Sequence, residues 1–212
     1  MTSIKIQFTR FSAFYSPLIS TISGGFLAEE GLDPTHSVAT AGKSAIDALV
    51  DGSAHVVQSA LSNGLASRER GEAPPAKHFA QINEKDGFFL TAREPDASFS
   101  WEKLRGKKIL VDHGVQPIVM FRYACHRVGI NLDELEVVDT GTSVEMDEAF
   151  RNGDGDYIHQ QGPAPQQLEI EGSGVVVGRV GDWVGPCAFS SLASRSDWLA
   201  TDEAVGFMRA FR

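Results

Sequence analysis

Hydrophobic and polar residues alternate at the start of the chain. Ile4, Ile6 and Phe8 occupy every second position, with polar residues between them. A period of two residues is that of a strand with one buried face. The pattern therefore predicts a β-strand within Met1–Arg10.

The period changes to fourfold spacing after Pro17, at Leu18, Ile22 and Phe26. Apolar residues at this spacing predict an amphipathic helix, which should end near Gly31. Further short apolar runs predict strands near residues 35–40, 55–58, 77–82, 87–91, 108–111, 135–139, 156–159 and 175–180.

One sequence pattern occurs twice in the chain. Ala41–Asn63 and Gly141–Pro165 each contain a Ser near a helix start, a Gly that closes the helix, and a short strand that ends on polar residues. The shared features are Ser44 and Ser143, Gly52 and Gly153, and His55–Gln58 and Asp156–His159. Thr142 and Glu145 also have the spacing of a capping box. A repeated α/β unit predicts an α/β fold built from two similar lobes.

We expect residues 1–92 and 188–212 to form the first lobe and residues 93–187 the second. Because parallel β-α units expose the carboxyl ends of their strands, such lobes would enclose a ligand cleft. Hinges between the lobes are predicted at Thr91–Pro95 and Pro186–Ser190.

The composition is that of an ordinary globular protein, with 42% hydrophobic and 22% charged residues. A net charge of −9 without clustered Lys and Arg argues against nucleic acid as a partner. Cys125 and Cys187 have neither metal-ligand spacing nor a disulfide framework. No apolar run approaches the length of a membrane span, so we expect none.

The two ends of the sequence bear on localisation and size. The chain opens directly in a strand pattern, so we expect either a cytoplasmic protein or a periplasmic one whose leader has been removed. The last amphipathic pattern is still running at Arg212. We therefore expect either that C-terminal sequence is missing or that the first lobe is small.

No motif of high specificity for catalysis, a metal or a cofactor is present, and we expect no cofactor and no metal. Candidate residues therefore come from the loops at strand carboxyl ends. In the first lobe these are Ser12, Phe14, Tyr15, Thr40, Gly42, Gln58 and Ser59. The aromatic rings could stack on a flat ligand or pack between lobes. The amide and hydroxyl groups could bind a polar ligand or cap helices.

In the second lobe the candidates follow the equivalent strands. They are Asp112, His113, Gln116, His159, Gln160 and Gln161. Asp112 could also be the acceptor at the start of its helix. His113 and His159 are predicted on parallel loops, where only such a pair would allow acid–base chemistry.

Four segments together resemble a known family. YSPLISTISGGFLAEEGLD, AIDALVDGSAHVVQSA, SFSWEKLRGKKILVDHG and AFRNGDGDYIHQQGPAP are similar, in the right order, to the signatures of NMT1/THI5-like proteins of the SsuA/TauA type. Within the pattern, His55 stands where the family usually has Asp, whereas Asp156 is kept. The family's usual Trp-x-Pro is replaced by Gln160, Gln161 and the residues that follow.

The resemblance implies a type 2 periplasmic-binding-protein fold. It also implies a solute-binding protein that delivers a sulfonate, nitrate, taurine or aminopyrimidine-like ligand to the permease of an ABC importer. The sequence is also compatible with two alternatives. One is an enzyme of the same fold without a leader, of the pyrimidine-precursor or desulfinase type, although the cysteine arrangements of those enzymes are absent. The other is the effector-sensing domain of a LysR-type regulator, against which the lack of an N-terminal helix-turn-helix argues.

Overall fold

A computed structural model describes residues 1–40 and 42–212, with the side chains of those residues apart from that of Ala66. Within these ranges the chain forms ten β-strands and nine α-helices. The strands are β1 Thr2–Phe8, β2 Leu32–Val38, β3 Val56–Ser59, β4 Lys77–Asn83, β5 Phe88–Ala92, β6 Lys108–Val111, β7 Glu136–Val138, β8 Tyr157–Gln161, β9 Val175–Arg179 and β10 Ser190–Ser194.

The helices alternate with these strands. They are α1 Ser16–Ser23, α2 Phe26–Glu29, α3 Ala45–Val50, α4 Leu65–Glu69, α5 Val115–Arg127, α6 Ser143–Arg151, α7 Ala164–Ile170, α8 Val180–Val184 and α9 Asp202–Phe211. Short 3-10 helices are found at Ala13–Tyr15, Leu61–Gly64, Trp101–Leu104, Leu132–Glu134 and Trp198–Ala200. None of these described helices combines the length and the apolar character needed to cross a membrane.

The first sheet has the strand order β2-β1-β3-β10-β4. β1 is parallel to β2 and β3, whereas β10 is antiparallel to both β3 and β4. Ile4, Ile6 and Phe8 of β1 lie in a core cluster with Leu18 of α1 and Phe207 of α9. The predicted alternation of the first strand is therefore confirmed, and its buried face packs against helices.

The second sheet repeats this plan in the order β7-β6-β8-β5-β9. β6 is parallel to β7 and β8, and β5 is antiparallel to β8 and β9. Thus β6, β7 and β8 take the places of β1, β2 and β3, while β5 takes the place of β10. The predicted α/β fold with a duplicated unit is confirmed.

Two compact units divide the chain, one formed by residues 1–84 and 188–212 and the other by residues 85–187. The expected boundary after residue 92 is displaced, because β5 pairs with β8 and β9 of the second sheet. Its apolar sequence predicts a buried strand but carries no information about which sheet receives it. The hinge predicted at Thr91–Pro95 therefore lies within the second unit.

The first predicted helix is interrupted at Gly24 and Gly25. Gly25 has φ of +83°, a left-handed conformation that favours glycine, and it separates α1 from α2. A Cβ atom on Gly24 would lie 2.7 Å from the carbonyl oxygen of Ser20. Phe26, the last residue of the predicted apolar stripe, is consequently 46% exposed.

Capping boxes are found at the starts of α3 and α6, the helices that follow β2 and β7. The prediction for Thr142 and Glu145 is confirmed, since each side chain accepts the backbone N–H of the other residue, at 3.3 Å and 2.7 Å. Ser44 and Asp47 make the same pair of bonds at 3.2 Å and 2.9 Å. Each carboxylate satisfies an N–H group that the helix itself leaves unpaired.

Candidate functional site

Gln58 is the centre of a hydrogen-bond network at the carboxyl end of β3. Its side chain is buried, with Oε1 accepting the backbone N–H of Thr9 at 3.0 Å and Nε2 donating to the Ser190 hydroxyl at 2.9 Å. The Thr9 hydroxyl donates to the Gln58 carbonyl oxygen at 2.8 Å. A buried amide held at both ends keeps one orientation, and each end still has one unused bonding position.

Ser59 extends this network towards β10. Its hydroxyl accepts from Asn63 Nδ2 at 2.7 Å, and its carbonyl oxygen accepts from the Ser190 and Ser191 hydroxyls, each at 3.4 Å. Ser191 is also 2.7 Å from Nδ1 of His78, whose pKa is lowered by burial. The strand ends of the first unit therefore present neutral amide and hydroxyl groups.

The aromatic loop after β1 is used mainly for packing. Ser12 accepts the N–H of Phe14 at 3.2 Å and so caps the first 3-10 helix. The Phe14 ring is edge-on to the rings of Tyr15 and Phe189, with centroids 5.5 Å and 5.7 Å away. Tyr15 is only 5% exposed and belongs to the core cluster of the first sheet. Core packing accounts for Tyr15, while Phe14, half-buried, stays a predicted ligand contact.

Thr40 and Gly42 of the predicted loop between β2 and α3 are exposed, and Lys43 forms an ion pair. The carbonyl oxygen of Thr40 accepts the N–H of Lys43 at 3.1 Å, and Gly42 has φ of +80°. Lys43 lies 2.5 Å from Asp51, and this bond holds the pKa of the Asp51 carboxyl well below its usual range. The prediction also covered Ala41, which lies outside the described residues.

Asp112, His113 and Gln116 occupy the segment between β6 and the first turn of α5. Asp112 is 7% exposed, and its Oδ1 accepts the N–H of Gly114 at 2.8 Å. Nδ1 of His113 lies 2.7 Å from the carbonyl oxygen of Val111. Gln116 is half-buried in α5. The carboxylate of Asp112 thus takes a helix-start N–H group, one of the two roles expected for it.

His159 lies inside β8, opposite Val111, and not on a loop as expected. It is completely buried, and its ring stacks on Phe88 and packs against Phe121, with centroids 4.6 Å and 4.9 Å away. Neither ring nitrogen has a hydrogen-bond partner among the described residues. Burial lowers the pKa of His159 to about 3, an effect that Asp112 opposes. The imidazole is therefore neutral at physiological pH, and the expected pair of loop histidines is corrected.

Gln160 and Gln161 complete β8. Gln160 is 3% exposed and donates through Nε2 to Oδ1 of Asp147 at 2.7 Å, so its amide is directed to α6. Gln161 is half-buried and lies opposite Phe88 in the sheet. Among the described residues, no group of three or more His, Cys, Asp or Glu side chains could hold a metal ion.

Sequence reasoning missed Thr9, Ser190 and Ser191. Thr9 directly follows β1, so the rule of strand carboxyl ends could have found it. Ser190 and Ser191 are supplied by β10, an antiparallel strand more than a hundred residues away along the chain. Their polar pattern was visible, but the pairing of β10 with β3 was not.

Two units with mixed sheets of one strand order define a type 2 periplasmic-binding-protein fold. The periplasmic aliphatic sulphonate binding protein SsuA from Escherichia coli is 13% identical, with a TM-score of 0.77 over 100% of this chain and 73% of that chain. The alkanesulfonate-binding protein SsuA from Xanthomonas axonopodis pv. citri, bound to MOPS, is 14% identical, with a TM-score of 0.75 over 100% of this chain and 72% of that chain. At these identities the likeness shows the fold alone.

The sequence shows the family. The model described as NMT1/THI5 like matches residues 14–212, and the chain belongs to the NMT1/THI5-like family. It is 27% identical over 215 residues to "Putative binding protein YtlA" of Bacillus subtilis (strain 168), covering 99% of this chain and 64% of that protein. The chain thus spans less than two thirds of the length of this curated relative.

Proposed function

We propose that this chain is a solute-binding protein, and that Gln58, Ser59 and Thr9 contact the solute. The observation that carries the proposal is the buried network around Gln58 at the carboxyl ends of β1 and β3. Open α/β sheets bind ligands at this edge. Membership of the NMT1/THI5-like family and the shared fold with two SsuA proteins support it.

The second unit supplies a separate candidate set. Asp112 and His113 follow β6 at the corresponding edge, and Gln116 lies in the first turn of α5. Their side chains offer an acceptor, an imidazole and an amide, which suit a small polar or aromatic solute. Variants in this set are to be tested separately from variants of Gln58.

We extend the proposal to transport. Resemblance to SsuA-type proteins supports a role outside the cytoplasmic membrane, where the chain would pass its solute to the permease of an ABC importer. Co-purification of the chain with a permease encoded beside it, dependent on added solute, would support this step. A neighbouring operon of biosynthetic enzymes without a permease would argue against it.

Solute binding is tested by thermal shift and calorimetry with propane-1-sulfonate, MOPS, taurine, nitrate, nicotinamide and cytosine. At least one compound should raise the melting temperature of the chain. Gln58→Met should weaken that binding by about fivefold or more, since a solute hydrogen bond is worth on the order of 1 kcal/mol. Gln81→Met, at an exposed position of β4, is the matched control and should bind normally. Binding that survives Gln58→Met would contradict the assignment of this residue.

A further inference from the structure

A groove runs along the outer face of α5 in the second unit. One side is formed by Val119, Arg122, Tyr123 and His126 of the helix, and the other by residues in the segment 129–134. Its volume is about 670 Å³. No candidate solute contact is among the described residues that line it. We call this surface the α5 groove.

Much of the lining of the α5 groove is apolar. Val119 is 50% exposed and Tyr123 is 43% exposed, and they follow Val115 at intervals of four residues. This interval places the three side chains on one face of α5. Ile130 and Leu132, which are buried, form the floor. The outer face of α5 therefore carries an apolar stripe beside an apolar floor.

The polar part of the lining is basic. Arg122 and His126 are exposed, and neither side chain pairs with another described residue. Glu134 is the acidic residue among the described lining residues, and its carboxylate is bound by Arg105, outside the groove. An unpaired guanidinium beside an apolar floor, on a chain of net charge −9, is complementary to an acidic partner.

Helix stability accounts for only part of this arrangement. Basic side chains in the last turn of a helix are favoured by its dipole, which is a sufficient reason for His126 and Arg127. Arg122 lies before that turn, where the effect of the dipole has fallen off. Tyrosine and arginine are instead enriched where proteins bind one another.

The dimensions of the α5 groove favour one kind of partner. Val119 and His126 are seven residues apart, which is about 10 Å along the helix axis. This length accommodates two turns of a second helix, whose residues at i, i+3, i+4 and i+7 can contact an apolar floor. Carboxylates beside that stripe of the second helix can pair with Arg122.

We propose that the α5 groove binds an acidic amphipathic helix of a partner protein. Burial of Val119 and Tyr123 against the floor stabilises the complex, and Arg122 selects helices that carry carboxylates. The inference goes beyond the proposed function and does not depend on it, because docking in this groove uses none of the residues proposed to contact the solute.

The experiment measures the binding of labelled helical peptides to the full chain by fluorescence anisotropy. The first peptide has about four turns, with leucines in one stripe and glutamates beside it. A second peptide has lysines in place of the glutamates, and a third has alanines in place of the leucines. The first should bind at least about tenfold more tightly than either of the others, which corresponds to 1.4 kcal/mol. Its affinity should fall as salt is added.

Variants of the chain locate the binding surface. Arg122→Glu should weaken the binding of the glutamate peptide at least about tenfold, because repulsion replaces attraction. Tyr123→Ala should also weaken it, because an apolar contact is lost. Arg68→Glu, at an exposed position of α4 in the first unit, changes the net charge by the same amount and should bind normally. An unchanged circular dichroism spectrum shows that each variant is folded.

Several outcomes would overturn the proposal. These are no binding of the glutamate peptide, equal binding of the lysine peptide, or binding that survives both Arg122→Glu and Tyr123→Ala. Binding to phosphatidylglycerol vesicles that is lost in Arg122→Glu, without peptide binding, would assign the groove to a membrane surface instead. A dimer in analytical ultracentrifugation that is lost in Arg122→Glu would assign it to a second copy of the chain.

Discussion

One equivalent strand position has different side-chain contacts in the two units. Gln58 of β3 and His159 of β8 are equivalent, since they lie opposite Phe8 of β1 and Val111 of β6. Gln58 donates to Ser190 of β10, but the residue that takes the place of Ser190 on β5 is Phe88, which stacks on His159. Protein atoms hold the Gln58 amide at both ends, whereas neither ring nitrogen of His159 has a hydrogen-bond partner among the described residues.

This difference shows that the duplicated fold conserves position but not chemistry. A hydroxyl on the antiparallel strand makes the first position polar and rigid. An aromatic ring on the antiparallel strand makes the second position apolar, which is why the imidazole stays neutral. Three sets of variants test this difference between the two units.

The largest effect is expected for Gln58→Met. The substitution leaves the N–H of Thr9 without its acceptor and the Ser190 hydroxyl without its donor in a buried region. We expect the free energy of unfolding to fall by about 3 kcal/mol, because leaving buried polar groups unpaired costs about 1–3 kcal/mol each. Urea denaturation followed by circular dichroism measures the change. Gln81→Met should have almost no effect, and an equal loss in both variants would show that the network is not the cause.

A smaller effect, and one that depends on pH, is expected for His159→Phe. The pKa of His159 is about 3 in the folded chain, below its usual value of 6.5, so the unfolded chain binds the proton first as the pH falls. Its contribution to stability is therefore complete above pH 6.5 and is lost progressively towards pH 3. At pH 5 the free energy of unfolding of the wild-type chain should have fallen by about 2 kcal/mol more than that of His159→Phe, because each pH unit below 6.5 contributes about 1.36 kcal/mol.

Wild type must be compared with His159→Phe because a second buried group changes the free energy of unfolding in the opposite direction as the pH changes. Burial raises the pKa of Asp86 to about 7, so its contribution falls as the pH rises from 4 to 7. Asp86 is present in both proteins, and its effect cancels in the difference. Parallel stability–pH curves for wild type and His159→Phe would show that the imidazole does not titrate on unfolding.

The smallest effect concerns the turns that enter β3 and β8. Nδ1 of His55 accepts the N–H of Lys5 at 3.0 Å, and the carboxylate of Asp156 accepts the N–H of Lys108 at 2.9 Å. We expect His55→Ala and Asp156→Ala each to cost about 1 kcal/mol in denaturation experiments, and His55→Asp to retain stability. If His55→Asp is as unstable as His55→Ala, the two side chains do not have the equivalent role that their bonds indicate.

Local patterns in the sequence predicted much of the fold. The alternation in β1 and the capping box at Thr142 and Glu145 depend on neighbouring residues, and both are confirmed. The duplicated plan around His55 and Asp156 also predicted that the chain contains two similar α/β units. These features are encoded within a few residues of where they appear, so a single sequence is sufficient to find them.

The sequence could not predict the features that depend on distant pairing. The place of β5 in the second sheet is set by β8 and β9, and the partner of Gln58 comes from β10. His159 follows a strand pattern, but its isolation depends on Phe88 and Phe121, which lie elsewhere in the chain. Except for His159, which lies inside β8, the candidate residues lie near strand ends as predicted, but the sequence did not predict their hydrogen-bond and packing partners.

The insertion of β10 into the first sheet has a consequence for how the protein is made on the ribosome. The second unit is one continuous segment, residues 85–187, whereas the first unit requires residues 188–212 in addition to residues 1–84. Domains fold as units during synthesis. The unit translated second can therefore be complete before β10 of the first unit has been synthesised. We expect the nascent chain to acquire its native parts in the reverse of the order in which their first residues leave the exit tunnel.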